Sequence, residues 1–165
     1  MVSIRKAEAR DRDMILTITR AVGVFTAEDV DCVDELLETY LNKANQQEYY
    51  FLVACDDPDQ VLGYTVYGPT PLTQGTYDMY WLAVAPEAQG RGLAKLLFLT
   101  AEQELVAAGA RLIVLETSGT PEYAPARGMY KRLGYEGRVA VPDFYRPGDD
   151  LMIFHKLLRA HEPIK

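Results

Sequence analysis

The sequence is poor in the residues that build disulfide frameworks and metal sites. Its 165 residues include two cysteines, Cys32 and Cys55, and two histidines, His155 and His161. The cysteines lack the spacing of a zinc motif and are too few for a disulfide scaffold, and the two histidines do not form a metal set. We therefore expect no metal cofactor and a reducing, cytoplasmic compartment.

An excess of positive charge and long apolar runs are also missing. With 17 Lys and Arg against 24 Asp and Glu, the net charge of −7 argues against non-specific nucleic-acid binding. No apolar stretch reaches the length of a membrane span, and the charged segment 1–12 is unlike a secretory signal. We predict a single globular domain over residues 1–165, with neither a membrane nor a nucleic-acid partner.

Hydrophobic periodicity and turn residues predict an alternation of strands and helices. The predicted strands are 3–7, 48–55, 61–67, 78–84, 111–116, 135–141 and 151–158, with a break at 68–71. The predicted helices are 12–22, 27–44, 93–108 and 126–133, and Gly109 and Gly134 end the last two. The inward-facing residues of the first and third helices are predicted to be Met14, Ile15, Ile18 and Val22, and Leu93, Leu96, Leu97, Ala101, Leu105 and Ala108.

One turn carries most of the functional information. Gln89-Gly-Arg-Gly-Leu-Ala94 joins the strand that ends at Val84 to the helix that begins at Leu93. A strand that enters a helix through glycines presents free N–H groups and the positive end of the helix dipole, which together suit a phosphate group. The dinucleotide fingerprint is incomplete, because its third glycine is Lys95 here, and the Gly-Lys-Ser/Thr of nucleoside triphosphatases is missing. A plain tight turn would use the same glycines.

Gln89, Gly92 and Ala94, followed by the segment Tyr130-Lys-Arg-Leu-Gly134-Tyr135, resemble the GCN5-related N-acetyltransferase (GNAT) superfamily. The resemblance extends over nearly the whole chain. It implies an α/β (α+β) fold with a central mixed, mostly antiparallel sheet of six to seven strands and about four flanking helices. It also implies an acyltransferase that uses acetyl-CoA, and in this superfamily dimers are frequent, so a homodimer is compatible with it.

The same resemblance assigns the cofactor-binding residues. The backbone of Leu82, Ala83 and Val84 would pair with the amides of the pantetheine arm, as an added strand would. The pyrophosphate would lie against the turn, at Gln89, Gly90, Arg91, Gly92, Leu93, Ala94 and Lys95. The Arg91 side chain is either a phosphate contact or an ordinary exposed turn residue. Family members often carry an asparagine that contacts the cofactor arm seven residues before the catalytic tyrosine, and Tyr123 occupies that position here.

Tyr130 stands four residues before Gly134, which is the spacing of the family's general acid. A phenol with a pKa of about 10 is protonated at neutral pH and can donate to the departing thiolate. An alkyl ammonium with a pKa of ~10.4 must first lose a proton, so a general base or desolvation is needed. Asp78 and Glu116 are the candidate bases, and ordered water is the alternative.

The acceptor is the least defined part of the site. By analogy with the fold, Phe25, Glu28, Tyr80, Phe144 and Tyr145 are candidates to line its pocket, although aromatic residues are equally expected in a core. The acceptor would be the primary amine of a small molecule or a protein. The rival hypothesis is a non-catalytic acyl-CoA-binding module that senses or scaffolds, and the presence of Tyr130 favours the enzyme.

Overall fold

A computed structural model describes residues 1–158 of the chain. Its strands are β1 Ser3–Lys6, β2 Tyr50–Asp56, β3 Gln60–Pro69, β4 Thr76–Val84, β5 Leu112–Ser118, β6 Glu136–Arg146 and β7 Asp149–Leu157. Its helices are α1 Arg12–Ala21, α2 Ala27–Asn42, α3 Leu93–Ala107 and α4 Ala124–Arg132. The predicted order of strands and helices is confirmed.

The strands form one seven-stranded mixed sheet in the order β1-β2-β3-β4-β5-β7-β6. The pairs β1–β2, β2–β3, β5–β7 and β6–β7 are antiparallel, whereas β4 and β5 are parallel. The parallel register runs from Thr76 opposite Leu112 to Asp78 opposite Val114. The mostly antiparallel mixed sheet implied by the resemblance is therefore confirmed, with seven strands.

The strands β3 and β6 are among those that run further than predicted. β3 continues through Gly68 to Pro69, because a proline is tolerated at the end of a strand, where its missing N–H costs no ladder bond. β6 continues from Val141 to Arg146, which pairs with Asp149 across a turn whose Gly148 has a φ of 82°. A register shift between Val141 and Arg146 hides this continuation from a simple alternation pattern.

Two compact units make up the chain: 1–69 with 80–104, and 70–79 with the described residues from Leu105 onward. In the first unit α1 buries Ile15, Leu16, Ile18 and Thr19, whereas Met14 is 39% exposed and Val22 is only half-buried. The buried face of α1 is therefore rotated relative to the predicted one, and it includes Leu16 and Thr19 instead of Met14 and Val22. A prediction based on hydrophobicity does not place the polar Thr19 in the core. Its burial is tolerated because its hydroxyl forms a 2.7 Å hydrogen bond with the Tyr64 hydroxyl.

The third helix buries Leu93, Leu97, Phe98, Ala101 and Leu105. The predictions for Leu96 and Ala108 were wrong, since Leu96 is 40% exposed and Ala108 is exposed beyond the end of the helix. Gly109 ends α3 as predicted, with a φ of 81° that favours glycine. Among residues 1–158, none of the helices combines the length and apolar character needed to cross a membrane.

Candidate functional site

The turn between β4 and α3 is folded by short-range contacts. After Val84, the Ala85 N–H donates to Leu62 O of β3 at 2.8 Å, and Pro86–Ala88 forms one 3-10 turn. Gln89 then extends the chain and its side-chain Nε2 donates back to Val84 O at 3.3 Å. The Gln89 side chain therefore ties the end of β4 to the segment that precedes α3.

Gly90 and Gly92 both have a φ of 77°, a left-handed conformation that side chains rarely adopt. A Cβ built at either glycine would meet no atom within 4 Å, so the space above the turn is open. The first hydrogen bond of α3 joins Leu96 N to Gly92 O at 3.0 Å. The N–H groups of Leu93, Ala94 and Lys95 precede that ladder and carry the positive end of the helix dipole. This arrangement fits an anionic diphosphate.

Arg91, between the two glycines, is bound to a residue that the sequence interpretation missed. Its Nη2 lies 2.7 Å from Oδ2 of Asp56, the last residue of β2. The Arg91 guanidinium, helped by the Asp57 N–H, lowers the pKa of Asp56 to about 2. A pairing across 35 positions leaves no local sequence signal at Asp56.

The candidate pantetheine-binding residues, Leu82, Ala83 and Val84, form the end of β4 beyond its three-residue register with β5. Neighbouring β3 lies very close here, since a Cβ on Gly63 would come within 2.9 Å of Ala83 O. A glycine at position 63 is thus required by the approach of the two backbones. Thr65 Oγ1 adds a bond of 2.9 Å to Trp81 O.

Two of the candidate acceptor residues pack in aromatic pairs within the first unit. Phe25 contacts Trp81 edge to face at 5.3 Å between ring centroids, and Tyr80 contacts Tyr49 in the same manner at 5.7 Å. Glu28 is exposed in the first turn of α2. The pairing partners Trp81 and Tyr49 were not predicted as site residues.

Tyr130 lies on α4 in the second unit and is 9% exposed. Its ring packs against Phe154 of β7 at 5.8 Å and Tyr135 at 6.3 Å. Gly137 makes room for this cluster, because a Cβ there would come within 2.7 Å of the Phe154 ring. Burial, with a smaller contribution from Tyr123, raises the pKa of Tyr130 to about 12.

The loop that leads into α4 is held by side chains. Arg127 Nη1 donates to Ser118 O at 2.7 Å and to Thr120 O at 2.8 Å. Ser118 Oγ donates to the buried carboxylate of Asp149 at 2.5 Å. Tyr123, the residue in place of the family's asparagine, is half-buried at the start of α4, and its N–H donates to Thr120 O at 3.2 Å. These bonds set where α4 starts.

The two candidate bases lie close along the second unit's strands. Asp78 is opposite Val114 of β5, and Glu116 follows two residues later, so both project from the same face. Asp78 Oδ2 accepts a bond of 2.6 Å from Thr70 Oγ1, whereas Glu116 is exposed. His155 of β7 is also opposite Val114 and shares this face, a neighbour that sequence reasoning did not supply.

Tyr145 is 46% exposed near the end of β6 and contacts the exposed Phe144 ring at 5.1 Å. His161 lies outside the described residues. Within the described range 1–158, His, Cys, Asp and Glu form no group of three or more that could hold a metal ion.

Comparison with known proteins gives concordant matches. The Acetyltransferase (GNAT) family model matches residues 18–135. The mycothiol acetyltransferase of Pseudarthrobacter chlorophenolicus is 36% identical over 89 residues, a match that covers 52% of this chain and 27% of that protein's length. The crystal structure of a GNAT-family protein from Desulfovibrio desulfuricans is 37% identical with a TM-score of 0.90, over 95% of this chain and 99% of the other. A Salmonella typhimurium structure with its cofactor acetyl-CoA shares the fold at 21% identity and a TM-score of 0.79, over 100% and 98% of the two chains.

Proposed function

We propose that this chain, which belongs to the acetyltransferase (GNAT) family, transfers the acetyl group of acetyl-CoA to a primary amine of a small molecule or protein. The amine would attack directly while both substrates are bound. The observation that carries the proposal is the turn at Gly90 and Gly92, with its left-handed glycines, open space and helix N–H groups. The cofactor would supply a thioester as the activated acetyl group.

Main-chain groups would do most of the cofactor binding. The N–H groups of the turn and of the first residues of α3 would donate to the diphosphate, where charge-assisted bonds are strong. The backbone of Leu82, Ala83 and Val84 would pair with the peptide-like amides of the pantetheine arm. Gln89 would act indirectly, since its side chain holds the end of β4 against the turn.

Tyr130 would donate a hydrogen bond to the departing sulfur. With a pKa of about 12 it keeps its proton throughout the neutral range. Complete transfer to a simple thiolate of pKa ~8.5 would cost about 5 kcal/mol, from the difference between the two pKa values. A hydrogen bond that strengthens as charge develops on sulfur avoids this free-energy cost, and we therefore assign that role to Tyr130.

The pH dependence follows from which protonation state each group needs. The amine must be neutral, so we expect kcat/KM to rise about tenfold per pH unit below the pKa of the group that titrates. Tyr130 must be protonated, and because burial raises its pKa, the active form persists up to about pH 11. A pH–rate profile measured between pH 6 and pH 10 (about the range in which the amine titrates) should therefore show no alkaline decline.

Asp78→Asn and Glu116→Gln, measured in the same profile, would identify the base. Substitution of a true base should lower kcat/KM over the whole profile, because proton removal from the amine loses its acceptor, whereas substitution of a spectator carboxylate should leave kcat/KM unchanged. If neither variant alters the profile, the proton leaves through water. An alkaline decline centred near pH 9 without unfolding would contradict the role of a protonated, buried Tyr130.

The direct test combines cofactor binding with an acceptor screen. We expect calorimetry to detect CoA binding to the intact protein, and thiol release to occur with acetyl-CoA when an accepted amine is added. Binding without thiol release across a broad panel of small amines and peptides would favour the sensor or scaffold hypothesis. Absence of CoA binding by folded protein would refute both.

A further inference from the structure

The charged side chain between the two turn glycines is already paired with a carboxylate. Gly90 and Gly92 contribute no side chains, and Arg91 between them is engaged by Asp56 at 2.7 Å. The other carboxylate oxygen of Asp56 accepts the Asp57 N–H at 3.0 Å, which holds the carboxylate in place. Since Arg91 is 44% and Asp56 31% exposed, both charges border solvent at the turn.

We propose that Asp56 masks Arg91 from the phosphates of the cofactor and so limits the affinity of the turn for CoA. The inference depends on the proposed function, because it assumes that the diphosphate lies on this turn. A guanidinium prefers a phosphate or carboxylate that it can reach in a fixed geometry, and here the carboxylate is supplied by the protein itself. Arg91 and Asp56 together add no net charge to the site.

Asp56 could mask Arg91 or could hold the turn in its binding conformation, and the two roles predict opposite effects of losing Asp56 on CoA affinity. If the pair mainly ordered the flexible turn, loss of Asp56 would weaken CoA binding. An exposed ion pair orders the chain only weakly, however. In its absence, a phosphate close to the turn would be attracted by the freed Arg91 cation and would no longer be repelled by the Asp56 anion. We therefore expect the electrostatic effect to dominate. Asp56 is charged at every pH of interest, since its pKa is about 2, so masking is permanent in the native protein.

The test is CoA binding measured by calorimetry for Asp56→Asn. Asparagine keeps an oxygen for the Asp57 N–H but loses the charge, and we expect Kd to fall about three- to tenfold, with a steeper dependence on salt. The matched control is Asp57→Asn, which makes the same change in net charge at a neighbouring side chain that is 85% exposed. Asp57 pairs with the N-terminal ammonium, which Asp56 also contacts at 3.3 Å, but it does not pair with Arg91. Thermal unfolding of each variant confirms that the fold is retained.

A double variant isolates the role of Arg91. The gain from Asp56→Asn should be clearly smaller in an Arg91→Met background, because the guanidinium is no longer there to be released; what remains is the loss of the Asp56 anion and of its contact with the N-terminal ammonium at 3.3 Å. Unchanged or weaker binding by Asp56→Asn would overturn the inference and leave the proposed function intact. An equal gain in Asp57→Asn would also overturn it, as a non-specific charge effect. If the parent itself does not bind CoA, the proposed function fails first.

Discussion

Replacing Tyr130 with phenylalanine should lower kcat by about two orders of magnitude, the lower end of what a positioned acid or base contributes. The substitution keeps the ring, and with it the contacts to Phe154 and Tyr135, so packing of α4 should be preserved. What is lost is the hydroxyl that we propose to face the departing sulfur. CoA affinity should change little, because the proposed diphosphate contacts are main-chain groups on another segment of the chain. Steady-state kinetics and calorimetry on the same preparation separate the two effects.

Tyr135→Phe provides the matched control. Tyr135 is also buried, belongs to the same ring cluster and carries the same phenol, yet it has no place in the proposed chemistry. We expect it to retain most of the parent's turnover. Equal turnover in Tyr130→Phe and the parent would remove Tyr130 from the mechanism, while equal losses in both variants would indicate damage to the cluster rather than loss of an acid.

The order of the elements could be predicted because each carries a local signal. The third helix begins after a glycine turn and ends at Ala107, two residues before Gly109, and both boundaries follow from backbone preferences of single residues. The burial of individual helix positions was less predictable. Leu96 and Phe98 are both large and apolar, and only the packing of α3 decides that the first is exposed and the second buried.

The candidate site also contains features that could be predicted from the sequence and features that could not. The turn at Gly90 and Gly92 could be identified because the left-handed conformation it needs is one that glycine favours. Asp56 could not be identified, because its importance comes from β2 ending beside the turn, which is a property of the sheet. The packing of Tyr130 against Phe154 could not be predicted either. It requires the absence of a side chain at Gly137, and nothing in the sequence relates Gly137 to the Phe154 ring. Local backbone chemistry was predictable, and pairings between distant segments were not.

Gly92→Ala should abolish most CoA binding at a modest cost in stability. A left-handed backbone costs a residue with a Cβ roughly 1–2 kcal/mol, and no protein atom within 4 Å adds a clash to that strain. The new methyl group would instead occupy the open space above the turn, where the proposal places the diphosphate. Each charge-assisted bond is worth about 1.5–3 kcal/mol, so losing even one should raise Kd by roughly 10- to 100-fold. Calorimetry with CoA measures this directly.

Gly109→Ala separates this effect from strain alone. Gly109 has a φ of 81°, a Cβ added to it would also meet no atom within 4 Å, and it follows the opposite end of the same helix. The two variants should therefore lose similar stability, about 2–4 °C in Tm per kcal/mol for a chain of this size. The two variants should differ sharply in Kd for CoA. The proposed diphosphate site is at the N–H end of α3, which attracts anions, and Gly109 follows the carbonyl end, which does not. If both variants bind CoA as the parent does, the diphosphate does not lie on the turn, and the assignment of the cofactor site to Gly90 and Gly92 is wrong.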